Sequence, residues 1–432
     1  HDGSDKKDGD KESEGDIKAD KNKKDDADDK DSQKGDIQKP DDESEQVDHS
    51  DAAADYASNI IAGNSVYLGE LSSEYGISFD EEFEKTMDKI EADYKEFLDK
   101  PEDFLAENWQ DVLAVYVMKY GQDAGIKMDK SCRDDLEQIF FLMNVRSNSA
   151  ILRKLEKIQK EEVSETEGRS AETEKAAEAE ESTETEKAAE AEESTETEKA
   201  ADAEESTETK KVAETDAKEY RALSVQDYIA LYGADEEQTA ILEKYTSTKC
   251  RQLCAIVTAS KGFVRSEAGS DVSEERVSIV AAACSLIGKV GYFWGGKSYA
   301  IGWDDSWGSP MTVSAEGSKS SGTVRSYGLD CSGFVAWSYY NGLGGKDAGI
   351  GNHTTTQWNA SEMVDSQSAR PGDLVFYHPA SAGDDNHVGI VVGVNDNGSL
   401  LVVHCSSSQN GVMTGEAWSA GFQYVRSPLG LE

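Results

Sequence analysis

The chain has 432 residues, of which 87 are acidic and 44 basic, and its net charge is −43. Such an excess of negative charge argues against a nucleic-acid-binding protein, because phosphate recognition needs a positive field. Two segments, 1–50 and 161–218, hold much of this charge and almost no large apolar residues. Since burial cannot offset their ordering entropy, we predict that both are disordered or only loosely helical.

The first segment, residues 1–50, mixes lysine with acidic residues and scattered glycine, which is typical of a solvated spacer without a partner. The chain begins at His1 and contains no apolar run as long as a membrane span, which needs about 18 residues. Two interpretations follow: a cytosolic chain, or a fragment that lacks an upstream leader or membrane anchor. We expect the fragment, for a reason that depends on the chemistry of the last domain.

Residues 51–160 carry helical patterns, in which apolar side chains recur at intervals of three and four. The patterns span Phe79–Leu98, Leu105–Tyr116 and Cys132–Met143. Pro101 ends the first of them. Helices of this size can bury one another, so we predict a small all-α bundle. It is either a structural stalk or a module that docks a partner.

The segment 161–218 contains a repeat of 12 residues, ETEKAAEAEEST. Its copies begin at Glu172, Glu184 and Glu196, and a decayed fourth copy follows. Because no apolar residue in the repeat is larger than alanine, it cannot bury a solenoid core. We predict an extended spacer that holds the last domain away from what precedes it, or alternatively a repeated binding epitope.

Residues 219–272 are predicted to form a helical connector. Cys250 and Cys254 fall on one face of such a helix, but the short ligand spacings of a zinc site are missing. Ser273 then precedes two glutamates and a new apolar pattern, so we expect it to cap the first helix of the last domain.

The stretch Tyr327–Ser338, which reads YGLDCSGFVAWS, feeds Cys331 from a turn into the first turn of a helix. At that position the helix dipole and unpaired backbone N–H groups favour the thiolate, which is the nucleophilic form of cysteine. Taken alone, the stretch leaves two interpretations open. Cys331 is either an activated nucleophile or a small buried cysteine at the start of a helix.

Segments rich in β-branched residues follow and predict strands. They are Pro371–Pro379, Asn386–Val394 and Ser399–Val412. The turn Asn395–Gly398 should join the last two as a hairpin in which Val394 faces Ser399. This register places His387 diagonal to His404 on one face. Gly389 shares that face and would let the helix that carries Cys331 approach, which gives a Cys-His-polar triad.

Five segments occur in a characteristic order: GYFWGG (Gly291–Gly296), LDCSGFV (Leu329–Val335), PGDLVFY (Pro371–Tyr377), NHVGIVVG (Asn386–Gly393) and HCSSSQNGV (His404–Val412). This order resembles the NlpC-type cell-wall cysteine peptidases, a papain-like family of bacterial peptidoglycan endopeptidases. The resemblance covers roughly Val277 to Arg426, about a third of the chain. It implies an α+β fold in which the nucleophile helix packs on an antiparallel sheet.

The resemblance also implies hydrolysis of amide bonds in peptidoglycan stem peptides. By it, Cys331 would be the nucleophile, His387 the base and His404 the orienting residue. The positions that match the family's substrate pocket are Tyr292, Asp330 and Ser332. We expect no metal or organic cofactor, a monomeric protein, and stem peptides as its partner.

Two other functions stay open at this point. One is a cysteine-histidine amidase that cuts the glycan–peptide junction or a cross-bridge, and the other is a non-catalytic module that binds the cell wall. Because a wall substrate lies outside the membrane, we expect an extracellular or cell-surface protein whose anchor, if any, lies upstream of this chain.

The interval 297–329 is longer than the short link that the family usually has between GYFWGG and the cysteine motif. Within it, Trp303 and Trp307 bracket two aspartates in a loop rich in glycine and serine. We hypothesise that this insert is a lid over the substrate cleft.

The predicted fold class is therefore α+β, with a papain-like catalytic domain at the C-terminus, preceded by a small all-α region and long acidic disordered segments. The predicted divisions are an acidic tail (1–50), a helical bundle (51–160), a repeat linker (161–218), a helical connector (219–272) and the peptidase domain (273–432).

Overall fold

The computed structural model describes residues 67–121, 125–161 and 220–431. The predicted acidic tail and repeat linker lie outside these residues, apart from residue 161. Two units divide the chain, His1–Gln46 and Val47–Glu432, and every described residue belongs to the second. The five domain boundaries proposed from the sequence stay predictions.

Short helices make up most of the region before the last domain. They are α1 (Phe83–Lys95), α2 (Trp109–Tyr120), α3 (Arg133–Met143), α4 (150–161), α5 (Val225–Tyr232), α6 (Glu236–Tyr245), α7 (Thr248–Thr258) and α8 (Lys261–Ala268). The helices predicted between residues 79 and 143 are confirmed as α1 to α3. Helix α1 begins later than its apolar pattern because Phe79 lies in a strand.

Two pairs of short strands, which the sequence analysis did not predict, accompany these helices. Strand β1 (Ile77–Phe79) runs parallel to β2 (Ile126–Met128), and β3 (Asn144–Arg146) is antiparallel to β4 (Tyr220–Ala222). The second pair joins residues that precede the repeat segment to residues that follow it.

Tyr220 explains this junction. Its ring lies 4.6 Å from that of Phe104, and its hydroxyl accepts a 2.8 Å hydrogen bond from the backbone N–H of Leu105. Leu223 is fully buried in the same core. The residues on the two sides of the repeat therefore share one core, which differs from the expected spacer that holds them apart. The reason is that apolar side chains directly after the repeat find partners in the helical region.

The last domain combines three helices with a six-stranded sheet. Its helices are α9 (Glu274–Ser285), α10 (Cys331–Gly342) and α11 (Thr354–Asn359). Its strands are β5 (Pro310–Thr312), β6 (Val324–Ser326), β7 (Ser361–Met363), β8 (Leu374–Phe376), β9 (Val388–Val394), β10 (Leu400–Ser406), β11 (Gly411–Glu416) and β12 (Tyr424–Pro428). The six-stranded sheet has the order β11-β10-β9-β8-β12-β7, and all its pairs are antiparallel.

Helix α10 lies between α9 and the strands β9 and β10. Phe334, Val335 and Tyr339 are almost wholly buried in it, as expected for a helix covered on all sides. This cluster continues into the helices before the domain, while a second cluster around Val391, Val402 and Phe422 covers the other face of the sheet. The predicted fold, a nucleophile helix packed on an antiparallel sheet, is confirmed.

The hairpin of β9 and β10 departs from the predicted register at its turn. Val394 pairs with Leu400, not Ser399, and a bulge follows between Leu401 and Val402. The extra residue restores the predicted register further along, where Val403 pairs with Ile390. The prediction was therefore wrong at the turn and correct at the end that carries the histidines.

Gly389 does not make room for α10, as the sequence analysis expected. A Cβ atom there would lie 3.1 Å from the His404 Cβ and 3.1 Å from the Phe422 Cζ. The bulky neighbours Val388 and Ile390 belong to the cluster of α10 instead. Because side chains alternate along a strand, the glycine is left on the opposite face, where it lets His404 and Phe422 come close.

Across the described stretches 67–121, 125–161 and 220–431, no helix combines the length and the apolar character that a membrane span requires.

Candidate active site

Cys331 is the first residue of α10, as the sequence predicts. Asp330 caps the helix, since its carboxylate accepts a 2.6 Å hydrogen bond from the backbone N–H of Gly333. All six cysteines of the chain are free thiols and buried, and Cys331, at 7% exposure, is the most accessible. The first residue of α10 is therefore buried, although slightly less than the other cysteines.

Burial controls the titration of this thiol. It raises the pKa of Cys331 to about 12, and the negative charge of Asp330 acts in the same direction. The backbone N–H of Val388, the Lys297 ammonium and the backbone N–H of Ser332 lower the pKa, but they do not outweigh burial. Burial therefore opposes the preference for the thiolate that is expected at a helix N-terminus, and it favours the neutral thiol.

The structure brings His387 and His404 together. His387 Nε2 lies 2.8 Å from His404 Nδ1, and His404 is 4% exposed. Burial lowers the pKa of His387 to about 3, with a contribution from His404, and that of His404 to about 4. Both imidazoles are therefore neutral at pH 7, and a single proton can serve the hydrogen bond between them.

Two aromatic side chains fix the ring of His387. Phe422 stacks on it with ring centroids 5.4 Å apart and an interplanar angle of 20°, and the Tyr377 ring lies 4.8 Å away. The Tyr377 hydroxyl donates to the backbone carbonyl of Ala420 at 2.5 Å. The sequence analysis missed both roles. Tyr377 is the last residue of the PGDLVFY segment, so that motif could have indicated its role. Phe422 lies in none of the five segments.

Asn386 orients the start of β9. Its Oδ1 accepts hydrogen bonds of 2.9 Å from the backbone N–H groups of His378 and His387, and its Nδ2 donates to the His378 carbonyl at 2.7 Å. His378 itself is exposed, as expected of a loop histidine. The amide therefore holds in place the main chain from which the catalytic imidazole is predicted to project.

Cys331 lies beside the start of β9, close to the main chain that carries His387. The thiol lies at the backbone N–H of Val388, the residue after His387, and it contributes to raising the pKa of Tyr377, whose ring contacts the imidazole. His404 and Cys405 lie on opposite faces, as alternation predicts. However, Cys405 shares the cluster of Cys331, whereas both imidazoles contact Phe422.

The three residues predicted to bind substrate surround the cysteine. Burial, followed by the charges of Cys331 and Asp330, raises the pKa of Tyr292, so its phenol lies near the thiol. Asp330 and Ser332 are buried, and the Ser332 hydroxyl donates to the Asp330 carboxylate at 3.0 Å. Both also bind the Lys297 ammonium, a residue that the sequence analysis did not single out. Their roles toward substrate stay predictions.

The insert over residues 297–329 is anchored to helix α10. Trp307 is 5% exposed, and its ring lies 5.6 Å from that of Trp337 in α10. The ring centroid of Trp303 lies 5.0 Å from that of Trp307, but Trp303 remains 49% exposed. The insert therefore has a fixed base and an exposed aromatic side chain, and its action as a lid stays a prediction.

Among the residues that the structure describes, no group of three histidine, cysteine, aspartate or glutamate side chains is placed to hold a metal ion.

A cysteine at the start of a helix, packed on an antiparallel sheet with a histidine pair, defines a papain-like domain. Residues 289–425 match the NlpC/P60 family, so this part of the chain is an NlpC/P60 domain. The match implies a function of the peptidoglycan-hydrolase type. No curated protein matches the chain.

Several solved structures resemble the domain. The P60 domain of an antigen from M. avium subspecies paratuberculosis is 23% identical, with 37% of this chain and 96% of that chain covered and a TM-score of 0.27. The peptidoglycan hydrolase RipB of Mycobacterium tuberculosis is 25% identical, with 46% and 88% covered and a TM-score of 0.26. RipD of the same organism, described as non-catalytic, is 20% identical, with 36% and 98% covered and a TM-score of 0.25.

Proposed function

We propose that the chain hydrolyses amide bonds in the stem peptides of bacterial peptidoglycan as a cysteine endopeptidase. Cys331 is the nucleophile, His387 the base and His404 the orienting residue. The observation that carries the proposal is the 2.8 Å contact between two neutral imidazoles at the end of the strand where the thiol of Cys331 lies. The family match over residues 289–425 supports it.

Proton transfer in this site starts from a neutral pair. If the Nε2–H of His387 donates the hydrogen bond to His404 Nδ1, the Nδ1 atom of His387 carries no proton and can act as a base. It takes the thiol proton of Cys331 as the sulfur attacks the peptide carbonyl. The thiolate therefore forms during attack rather than at rest, which agrees with the raised pKa of Cys331.

The remaining steps follow from the same residues. Backbone N–H groups at the start of α10, including that of Cys331, stabilise the oxyanion. The imidazolium of His387 then protonates the leaving amine as the carbon–nitrogen bond breaks, which leaves a thioester on the sulfur. A water molecule hydrolyses this thioester and regenerates the thiol.

The proposal extends to where the protein acts. Peptidoglycan lies outside the cell membrane, so the site is used at the cell surface or in the extracellular space. A monomer suffices, because the proposed triad comes from one chain.

Digestion of purified peptidoglycan tests the proposal. We expect the wild-type protein to release fragments with new termini inside the stem peptide, identified by mass spectrometry. Cys331→Ala should reduce the rate by at least about a thousandfold, since nucleophile and base act as a unit. Cys132→Ala is the matched control: it removes a buried thiol from the helical region and should keep full activity.

Other products would contradict the proposal in distinct ways. Termini at the glycan–peptide junction or in a cross-bridge would indicate an amidase. Binding to peptidoglycan without any fragment would indicate a non-catalytic wall-binding module. Full activity of Cys331→Ala would exclude this nucleophile.

A further inference from the structure

The insert begins with a lysine that touches both neighbours of the nucleophile. Lys297 Nζ lies 2.6 Å from each carboxylate oxygen of Asp330 and 2.8 Å from the Ser332 hydroxyl. An ammonium has three donors, so these contacts can use all of them. The Lys297 side chain is only 18% exposed and that of Asp330 11%, so the pair is shielded from solvent.

The main chain around Lys297 is held as closely as its side chain. The Tyr327 hydroxyl donates to the Lys297 carbonyl at 2.6 Å, and the backbone N–H of Asp330 donates to the Gly296 carbonyl at 3.1 Å. A Cβ at Gly333 would lie 2.2 Å from the Gly296 oxygen and 3.0 Å from the Lys297 Cδ. The start of the insert is therefore packed directly on the first turn of α10, and only glycine fits at position 333.

The charges of Lys297 and Asp330 act on the thiol in opposite directions. Asp330 raises the pKa of Cys331, and Lys297 lowers it. The other titratable groups that face this thiol or its proposed base are Tyr292, Tyr377, His387, His404 and Cys405. Each of these groups is neutral at pH 7, so the Lys297 ammonium is the cation that balances the helix-capping carboxylate of Asp330 beside the sulfur.

We propose that Lys297 is a positioning residue for the nucleophile: its ammonium holds Asp330 and Ser332 on either side of Cys331 and compensates the charge of Asp330 while the thiolate forms. The proposal rests on the role of Cys331 in the proposed function. Lys297 is the first residue of the insert over residues 297–329.

The pH profile of Cys331 alkylation tests this role without any peptidoglycan. Iodoacetamide incorporation at Cys331 is measured by peptide mass spectrometry from pH 6 to 11. Lys297→Met should lower the rate at each pH by about tenfold, because removing the compensating charge raises the pKa of the thiol by about one unit. Lys297→Arg keeps the charge and should recover most of the rate. Lys346→Met, at an exposed lysine of the same domain, is the control and should change nothing.

A double substitution separates positioning from simple support of the fold. In Asp330→Asn the carboxylate charge is gone while the ammonium remains, so the alkylation profile should move to lower pH. In the Asp330→Asn background, Lys297→Met should lower the alkylation rate of Cys331 less than it does in the wild type, since the carboxylate charge that Lys297 balances is absent. If Lys297→Met alone does not fold, the shift of the Asp330→Asn profile to lower pH decides the question by itself.

The outcomes that would overturn the proposal are clear. If Lys297→Met melts at a lower temperature but keeps the wild-type alkylation profile, Lys297 only supports the fold. A profile of Asp330→Asn that does not move to lower pH contradicts the proposal as well. If the protein fails to cut peptidoglycan while these profiles behave as expected, the proposed function fails and the role of Lys297 stands.

Discussion

At the scale of single residues, the environment of Cys331 overrides its position in the helix. A helix N-terminus supplies N–H groups and a positive dipole end, and these normally favour a thiolate. Here burial and the charge of Asp330 raise the pKa of the thiol to about 12. The sequence can indicate where a helix begins, but not how deeply its first residue is covered, so this electrostatic balance could not be read from it.

Alkylation against pH tests the resting thiol directly. Below the pKa the thiolate fraction rises tenfold for each pH unit, so a pKa of about 12 predicts that alkylation of Cys331 keeps rising from pH 7 to pH 11. The rate is measured on the Cys331 peptide with iodoacetamide. A rate that levels off below pH 7 would contradict this, because it would show a preformed thiolate–imidazolium pair.

His387 and His404 were predictable as a pair, but their surroundings were not. Alternation along two strands placed both on one face, and the structure joins them at 2.8 Å. The contacts of Phe422 and Tyr377 depend on segments whose approach no local pattern records. The same holds for Lys297, whose sequence neighbours carry no sign of the carboxylate 33 residues further on.

At the scale of elements, the hairpin shows both what a pattern determines and where it fails. The turn Asn395–Gly398 was identified from its residues, but the bulge at Leu401/Val402 was not. A bulge needs only one extra residue in one strand, and no residue pattern in this hairpin marks its position. The face toward α10 depends on side-chain packing, which is why Gly389 was assigned to the wrong partner.

The insert offers a prediction with an internal control. If it gates the cleft, the exposed Trp303 contacts substrate, and Trp303→Ala should raise KM for peptidoglycan fragments several-fold without lowering the melting temperature. The buried Trp307, which packs on Trp337, should behave differently. Trp307→Ala should destabilise the domain by about 3–5 kcal/mol, the usual cost of removing a buried aromatic side chain.

Steady-state kinetics and thermal unfolding of the two variants separate these effects. An unchanged KM and an unchanged range of cleaved fragments in Trp303→Ala would discard the lid. Equal stability of Trp307→Ala and wild type would contradict its role as the anchor.

At the scale of the whole molecule, the sequence predicted a series of separate parts. In the structure, described residues from the helical region and from the last domain share one hydrophobic core. The amphipathic patterns of α1 and α3 indicated correctly that each helix buries one side, whereas α2 is buried almost all round. They could not indicate which element that side packs against, because an apolar stripe shows only that a helix face is buried. In the structure the buried cluster runs from these helices through α9 to α10.

The pairing of β3 with β4 is a second long-range contact that the sequence did not predict. Residues 144–146 and 220–222 are far apart in sequence, with the acidic repeat between them, yet they form one antiparallel pair. Each strand has only three residues, too few for a periodic pattern to be recognised. Long-range contacts of short strands therefore lay beyond sequence reasoning, while the motif-rich last third of the chain did not.

The central claim is that the thiol of Cys331 gives its proton to His387, and the alkylation rate of Cys331 in His387→Ala at pH 7 tests it most directly. We predict a fall of about a hundredfold, within the range that a general base contributes, because the sulfur then loses its proton acceptor. His378→Ala, which removes an exposed loop histidine nearby, should leave the rate unchanged. A wild-type rate in a folded His387→Ala protein would contradict the account.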